Sequence, residues 1–319
     1  MDAQRRAVTV ALLGWMLSAL AQPAKVSRLG VLIYSTPEAD PNLAAFRTAL
    51  SELGYVEGRN LRLELRFAAS KPERLPELAQ ELVQAKPDVI FALGGDVLPF
   101  VQAATRTIPV VMWVSNDPIA MRFVQTLARP GGNITGVTLI LDQVAGKRLA
   151  LLKELMPRLA RAAVLWNPDH ADPEFREMRR AARELGVELQ SLEVRRMEHF
   201  DAALEAARKG RGEALIPVSS RLINLQRRKI LQFADQERVP VIGDWGEWEN
   251  ALLSYGPNTA QMAARAASYV DLVLKGARPA DLPVQQPTKF DLVVNLKTAR
   301  ALGISVPPAV LLRADRVIE

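Results

Sequence analysis

Short apolar runs alternate with amphipathic stretches along most of the chain, the pattern of a parallel sheet covered by helices. Arg28 to Tyr34 (RLGVLIY) predicts a first strand. Pro41 to Leu53 predicts a helix with Leu43, Phe46, Leu50 and Leu53 on one face, and Gly54 ends it. Leu61 to Phe67 (LRLELRF) alternates at period two, as a partly exposed edge strand would. Glu73 to Ala85 predicts a helix with Leu75, Leu78 and Leu82 facing inward. Asp88 to Leu93 predicts a buried strand running into Gly94-Gly95, and Ile108 to Val114 predicts another.

The same order returns further along the chain. Arg161 to Trp166 matches the first strand and ends at Asn167-Pro168, and Glu174 to Leu185 is a helix closed by Gly186. Val187 to Val194 alternates, His199 to Lys209 is helical, and Glu213 to Val218 is a strand like Asp88 to Leu93. Arg238 to Ile242 (RVPVI) then repeats Thr107 to Val111 (TIPVV). A duplicated βαβαβαβ unit is the economical reading. It predicts two doubly wound α/β lobes, residues 26–134 plus about 255–284 and residues 139–252 plus about 287–319. Asn133 to Leu139, Leu252 to Pro257 and Pro283 to Lys289 are the connections expected to form a multi-strand hinge.

In open parallel sheets ligands sit beyond the carboxyl ends of the strands. The loops there carry Ser35, Thr36, Gly95, Asp96, Asn116 and Asp117 in the first unit. The second unit offers Asn167, Ser219, Ser220, Asp244 and Trp245, and Tyr255 follows the strand Leu252-Leu253-Ser254. Hydroxyls and amides suit a ligand carboxylate, a carboxylate such as Asp117 suits an ammonium, and Trp245 and Tyr255 offer flat apolar surfaces. Together they describe a pocket for a zwitterion better than one for a sugar or a metal. Ser35, Thr36, Asp96 and Ser220 also precede helices and could act as N-caps. His170 and His199, the only histidines, read as surface residues.

Composition narrows the class. In 319 residues, 49% hydrophobic and 24% charged, there is length and balance enough for two globular domains. The net charge of +6 comes from arginines interleaved with acids; even the run Arg227-Arg228-Lys229 has no aromatic platform, so no nucleic-acid partner is expected. There is no cysteine, which excludes disulfides, thiolate chemistry and an amino-terminal lipid anchor. No H-E-x-x-H, G-x-S-x-G or Walker motif occurs, so no metal, cofactor or hydrolase chemistry is expected. Arg5-Arg6, the apolar run Ala7 to Leu20 and the small-x-small site Ala19-Leu20-Ala21 predict a cleaved secretory signal over residues 1–21 and a periplasmic, monomeric product.

Several longer phrases carry a resemblance. They include LGYVEGRNL from Leu53, LARPGGNITG from Leu127, AVLWNP from Ala163, SYGPN from Ser254, and PTKF from Pro287 leading to VNLKTA from Val294. Together they resemble the ABC transporter substrate-binding family that includes tryptophan-type binding proteins, from about Val26 to Glu319. The resemblance implies a periplasmic-binding-protein-like type I fold, delivery of a solute to a membrane permease, and no catalysis. It also implies ligands among the aromatic amino acids, with a cleft at Asp117, Asn167, Ser219-Ser220 and Tyr255. Two positions depart from the family pattern. Gly94-Gly95-Asp96 stands where Gly is usually followed by Thr or Ser and Pro, and Asn250-Ala251 replaces a frequent glycine pair. The expected function is an extracytoplasmic solute-binding protein of an ABC importer. A sensor component on the same fold, or a cleft enzyme using Asp96, Asp117 or Asp244, is the alternative.

Overall fold

The computed structural model describes residues 26–36, 40–170, 173–244, 248 and 250–319. The expected signal segment, residues 1–21, lies outside the described residues. Among the described residues no helix is long and apolar enough to cross a membrane.

The first lobe is a five-stranded parallel sheet in the order β2-β1-β3-β4-β5. Its strands are β1 (Ser27–Ile33), β2 (Leu61–Phe67), β3 (Val89–Leu93), β4 (Val110–Val114) and β5 (Ile134–Thr138). Helices α1 (Pro41–Glu52), α2 (Leu75–Gln84) and α3 (Leu98–Ala104) connect the first four. The alternating segment β2 takes the edge, with Ser27 opposite Leu61 and Ile33 opposite Phe67. Strand side chains alternate between faces. Accordingly Val89, Phe91 and Leu93 pack into one core with Phe46 of α1, while Ile90 and Ala92 pack into the other with Leu78 and Leu82 of α2. The Phe46 and Phe91 rings stack with centroids 3.8 Å apart. Burying one such side chain contributes on the order of 2 kcal/mol.

The second lobe repeats the plan. After α4 (Leu141–Leu155), the strands β6 (Arg161–Trp166), β7 (Glu188–Glu193) and β8 (Leu215–Pro217) form a parallel sheet in the order β7-β6-β8, the same arrangement as β2-β1-β3. Helices α5 (Glu174–Leu185) and α6 (Phe200–Lys209) connect them, and two short helices, α7 (Arg221–Leu225) and α8 (Arg227–Gln236), follow β8. The Leu215 N–H donates to the Pro240 carbonyl at 2.9 Å, and Leu215 bridges Val241. This contact attaches β9 (Ile242–Gly243), β10 (Leu253–Pro257), β11 (Phe290–Asn295) and β12 (Arg316–Ile318) to the lobe. Helices α10 (Leu296–Leu302) and α11 (Pro308–Arg313) lie between the last two strands.

The chain passes between the sheets three times. It leaves the first sheet after Thr138, turning through left-handed Ile140 (φ 47°) into α4, which packs on α5. It leaves the second sheet after Pro257, and α9 (Thr259–Leu274) packs back on α1 and the first sheet. Tyr255 and Gly256 still pair with Leu292 and Asp291, so this crossing falls at Asn258. Gln285 then lies along β5, donating to the Gly136 carbonyl and accepting from the Thr138 N–H, each at 2.9 Å, before β11 rejoins the second sheet. One pairing departs from the all-parallel expectation: β11 runs antiparallel to β10. Since β10 exits toward the first lobe at its carboxyl end, a segment returning from that lobe must enter at the same end and run the other way.

Candidate functional site

Both sheets point the carboxyl ends of their parallel strands at the same gap, so the loops after β1, β3 and β4 face those after β6 and β8. A narrow cavity of about 30 Å³ lies there, partly open to solvent. Asn42, Gly94, Gly95, Asp96 and Ser115 line it from the first lobe, and His170, Ser219, Ser220, Arg221 and Asn224 from the second. Leu93, Trp113 and Leu139 supply its apolar surface.

The loop after β3 is shaped by close approach. Gly94 has φ +117°, a conformation side chains rarely adopt, and a Cβ on Gly95 would sit 2.6 Å from Asn116 Nδ2. Two glycines therefore let the backbone lie against Asn116 and deliver Asp96 to the cavity. The loop after β8 is held from below instead. Arg148 of α4 and Glu174 of α5, both fully buried, pair at 2.6 Å, and Glu174 Oε2 accepts the Ser219 N–H at 3.3 Å. Ser220 Oγ accepts the Ile223 N–H at 3.2 Å and caps α7, which aims Arg221 across the gap.

Four ionisable side chains then meet between the lobes. His170 Nδ1 lies 2.7 Å from Asp96 Oδ1, and its Nε2 lies 3.1 Å from Ser115 Oγ. Arg221 Nη1 lies 3.0 Å from Asp40 Oδ2, which also accepts the Ser35 hydroxyl at 3.0 Å. Asp40 Oδ1 caps α1 by accepting the N–H groups of Asn42 and Leu43. Burial alone would push the Asp96 carboxyl up. The charge and hydrogen bond of His170, followed by the Arg221 guanidinium charge and the Arg221 backbone N–H, hold it below the usual carboxylate range instead.

A wider groove opens beside the cavity and shares His170 with it. Asp117, Met121 and Asp142 line one part, and Trp166, Phe175 and Arg179 another. Trp166 and Phe175 lie 4.6 Å apart between centroids, and Arg179 sits over the Phe175 ring. Burial, with the charges of Asp117 and Glu177, raises the Asp142 pKa against two backbone hydrogen bonds. Among the described residues no group of three or more His, Asp or Glu side chains could hold a metal.

The expected site residues fall into three sets. Gly95, Asp96, Ser219 and Ser220 line the cavity. Ser35, Asn116 and Asn167 stand behind it: Ser35 holds Asp40, Asn116 packs on Gly95, and Asn167 shapes the turn whose next residues include His170. The others lie elsewhere. Asp117 is exposed on the outer groove, its Oδ1 accepting the Ile119 and Ala120 N–H groups. Thr36 is half-buried and lines neither space. Asp244 is fully buried and accepts the Trp248 indole N–H at 2.7 Å. Tyr255 lies within β10, stacked on Phe290 with Lys147 Nζ 4.7 Å above its ring. Trp245 lies outside the described residues.

One reading is corrected: His170 is not a surface residue but is 7% exposed, because the first lobe covers it with Asp96 and Ser115. Arg221 and Asp40 were also missed. Their signal was position alone, one directly after Ser220 and the other one residue before the predicted helix at Pro41.

A profile of the family described as "ABC transporter substrate binding protein" matches residues 31–318. The chain is 23% identical over 272 residues to the "Tyrosine-binding protein" of Clostridioides difficile, covering 84% of this chain and 78% of that one. Among solved structures, a conserved domain protein from Vibrio cholerae superposes with a TM-score of 0.83 at 27% identity, covering 92% of this chain and 100% of the other. An ABC domain from Streptococcus pneumoniae in complex with L-Trp gives 0.82 at 22% identity, covering 92% and 99%. The second of these likenesses speaks for the fold alone, a type I periplasmic-binding-protein architecture. With nearly the whole described chain matched, the protein belongs to the ABC transporter substrate-binding family, the extracytoplasmic component that captures a solute for an ABC permease.

Proposed function

We propose that the chain captures a small solute in the cavity between Gly94–Asp96 and Ser219–Arg221 by closing its two lobes about the three crossings. The carrying observation is the crossed pairing of Asp96 with His170 and Asp40 with Arg221, which joins loops of different lobes around that cavity. Ligand binding in such a hinge stabilises the closed state by its differential affinity. The names of the relatives point to amino acids and aromatic solutes, and Trp113, Leu93 and Leu139 supply the apolar surface such a body needs. Asp96, Ser219 and Ser220 supply the polar contacts, with Ser35, Asn116 and Asn167 supporting the loops; Asp117 lies on the approach. The solute is released unchanged. The chain acts as a monomer in the periplasm after losing residues 1–21, and nucleic acid is not a partner.

A thermal-shift screen against amino acids, aromatic acids, amines, nucleosides and sugars tests the reading, because a ligand bound only by the folded state raises the midpoint. A shift with one solute class is expected. No shift with any class removes solute capture.

A further inference from the structure

Most of the room between the lobes, and the charges that are not yet matched, lie outside the inner cavity. With both crossed pairs formed, that cavity measures about 30 Å³. One water needs about 10–15 Å³ of such space, so the cavity admits little more than a single small group. Its ionisable groups are also spent on one another, Asp96 on His170 and Arg221 on Asp40. The outer groove measures about 680 Å³, within the range of about 300–1,000 Å³ usual for solute pockets. His170 lines both spaces, and both lobes contribute walls to the groove.

The groove carries both a flat apolar surface and charges of each sign. Trp166, at the end of β6, is half-buried; its indole N–H donates to Ser191 Oγ at 2.8 Å, and its ring lies 4.6 Å from that of Phe175. The Arg179 guanidinium covers Phe175 at 5.4 Å, so Trp166 is the ring left to face a solute. The first lobe and α4 bring Asp117 and Asp142 to the same groove. Burial, joined by the charge of Asp117, raises the Asp142 carboxyl, which an arriving cation would relieve. Among the described residues neither acid has a basic side chain within ion-pair distance, and Arg179 has no acidic one. A zwitterion with a ring therefore finds there what the inner cavity lacks: acids for its ammonium, a guanidinium for its carboxylate and an indole for its ring.

We infer that the body of the solute extends from the inner cavity into the outer groove, where Trp166 selects an aromatic ring and Asp142 holds the positive group of a zwitterion. The inference rests on solute capture between the lobes and says where most of the captured molecule lies. Isothermal titration calorimetry with L-tryptophan, L-tyrosine and L-leucine tests it, with Tm recorded for each variant to establish folding. The two aromatic amino acids are expected to bind at least about tenfold more tightly than L-leucine. Trp166→Leu is expected to cut that preference to about threefold or less, and Trp166→Phe to keep it. Asp142→Asn is expected to weaken all three by about tenfold and leave the preference intact. L-leucine binding as tightly as the aromatic pair overturns the inference. So does an unchanged preference in folded Trp166→Leu protein, or unchanged affinity in folded Asp142→Asn protein. Should Trp166→Leu fail to fold, the wild-type preference and Asp142→Asn still decide it. If none of the three binds while a solute of another class does, the inference falls and solute capture stands. If no solute class binds, both fall.

Discussion

In the first lobe the loops after β1 and β3 bring Asp40 and Asp96 to the gap. In the second, the loops after β6 and β8, at matching places in the repeated topology, bring His170 and Arg221. The pairing is crossed: the first loop of each lobe meets the second loop of the other. One backbone plan thus presents acids from one side and bases from the other. Duplication supplies the frame, while complementarity between the copies is carried by single side chains at strand ends. The two lobes also hold their loops differently. The loop after β3 relies on glycine backbone pressed against Asn116, whereas the loop after β8 hangs on the buried Arg148–Glu174 pair.

That contrast breaks most sharply at Arg148. Arg148→Met removes the arginine from the buried Arg148–Glu174 pair, and losing one member of a buried pair costs about 3–5 kcal/mol. We expect Tm to fall by roughly 10 °C or more, and Arg148→Met with Glu174→Leu to recover most of the loss. If the single variant melts like the wild type, the pair does not hold the second lobe's loop.

Arg221→Ala tests the crossed pairing with a smaller effect. It strands Asp40, whose side chain is fully buried in the closed form. Opening of the lobes is then favoured by about 2 kcal/mol. Small-angle scattering should show a larger radius of gyration for the variant without solute, and equal radii would show that the pair does not hold the cleft shut.

The smallest effect is the pH dependence of Asp96. Its folded pKa is depressed, so its contribution to stability is fully present above the unfolded value of about 3.9 and is lost as pH falls through the lower folded value. The Tm gap between wild type and Asp96→Asn should be open at about pH 5 and close below about pH 4. A gap that widens on acidification reverses the sign and removes the ion pair as its cause.

Much of the frame was legible because it is local. Period-two and helical spacing placed β1, β2, β3, α1, α2 and their second-lobe counterparts, and the Pro-containing strand entries marked the repeat. Asp96, Ser219 and Ser220 were legible as strand-end residues, since the carboxyl ends of parallel strands are where such folds bind. His170 was not. A histidine in a polar loop is buried only when another part of the chain, here Asp96 and Ser115, arrives over it. Tyr255 was singled out for its flat ring; in the fold it pairs with Leu292 of β11 and stacks on Phe290, contacts that come from a distant segment.

From the amino-acid sequence alone come the two α/β units, their repeated order and the strand-end loops that face a shared gap, because hydrophobic periodicity is written residue by residue. Tertiary contacts set β11 antiparallel, place Asp117 outside the inner cavity, and pair His170 with Asp96 and Arg221 with Asp40 across it. Those outcomes depend on which loops meet when two lobes close, and on the cost of leaving a charge unpaired once they do.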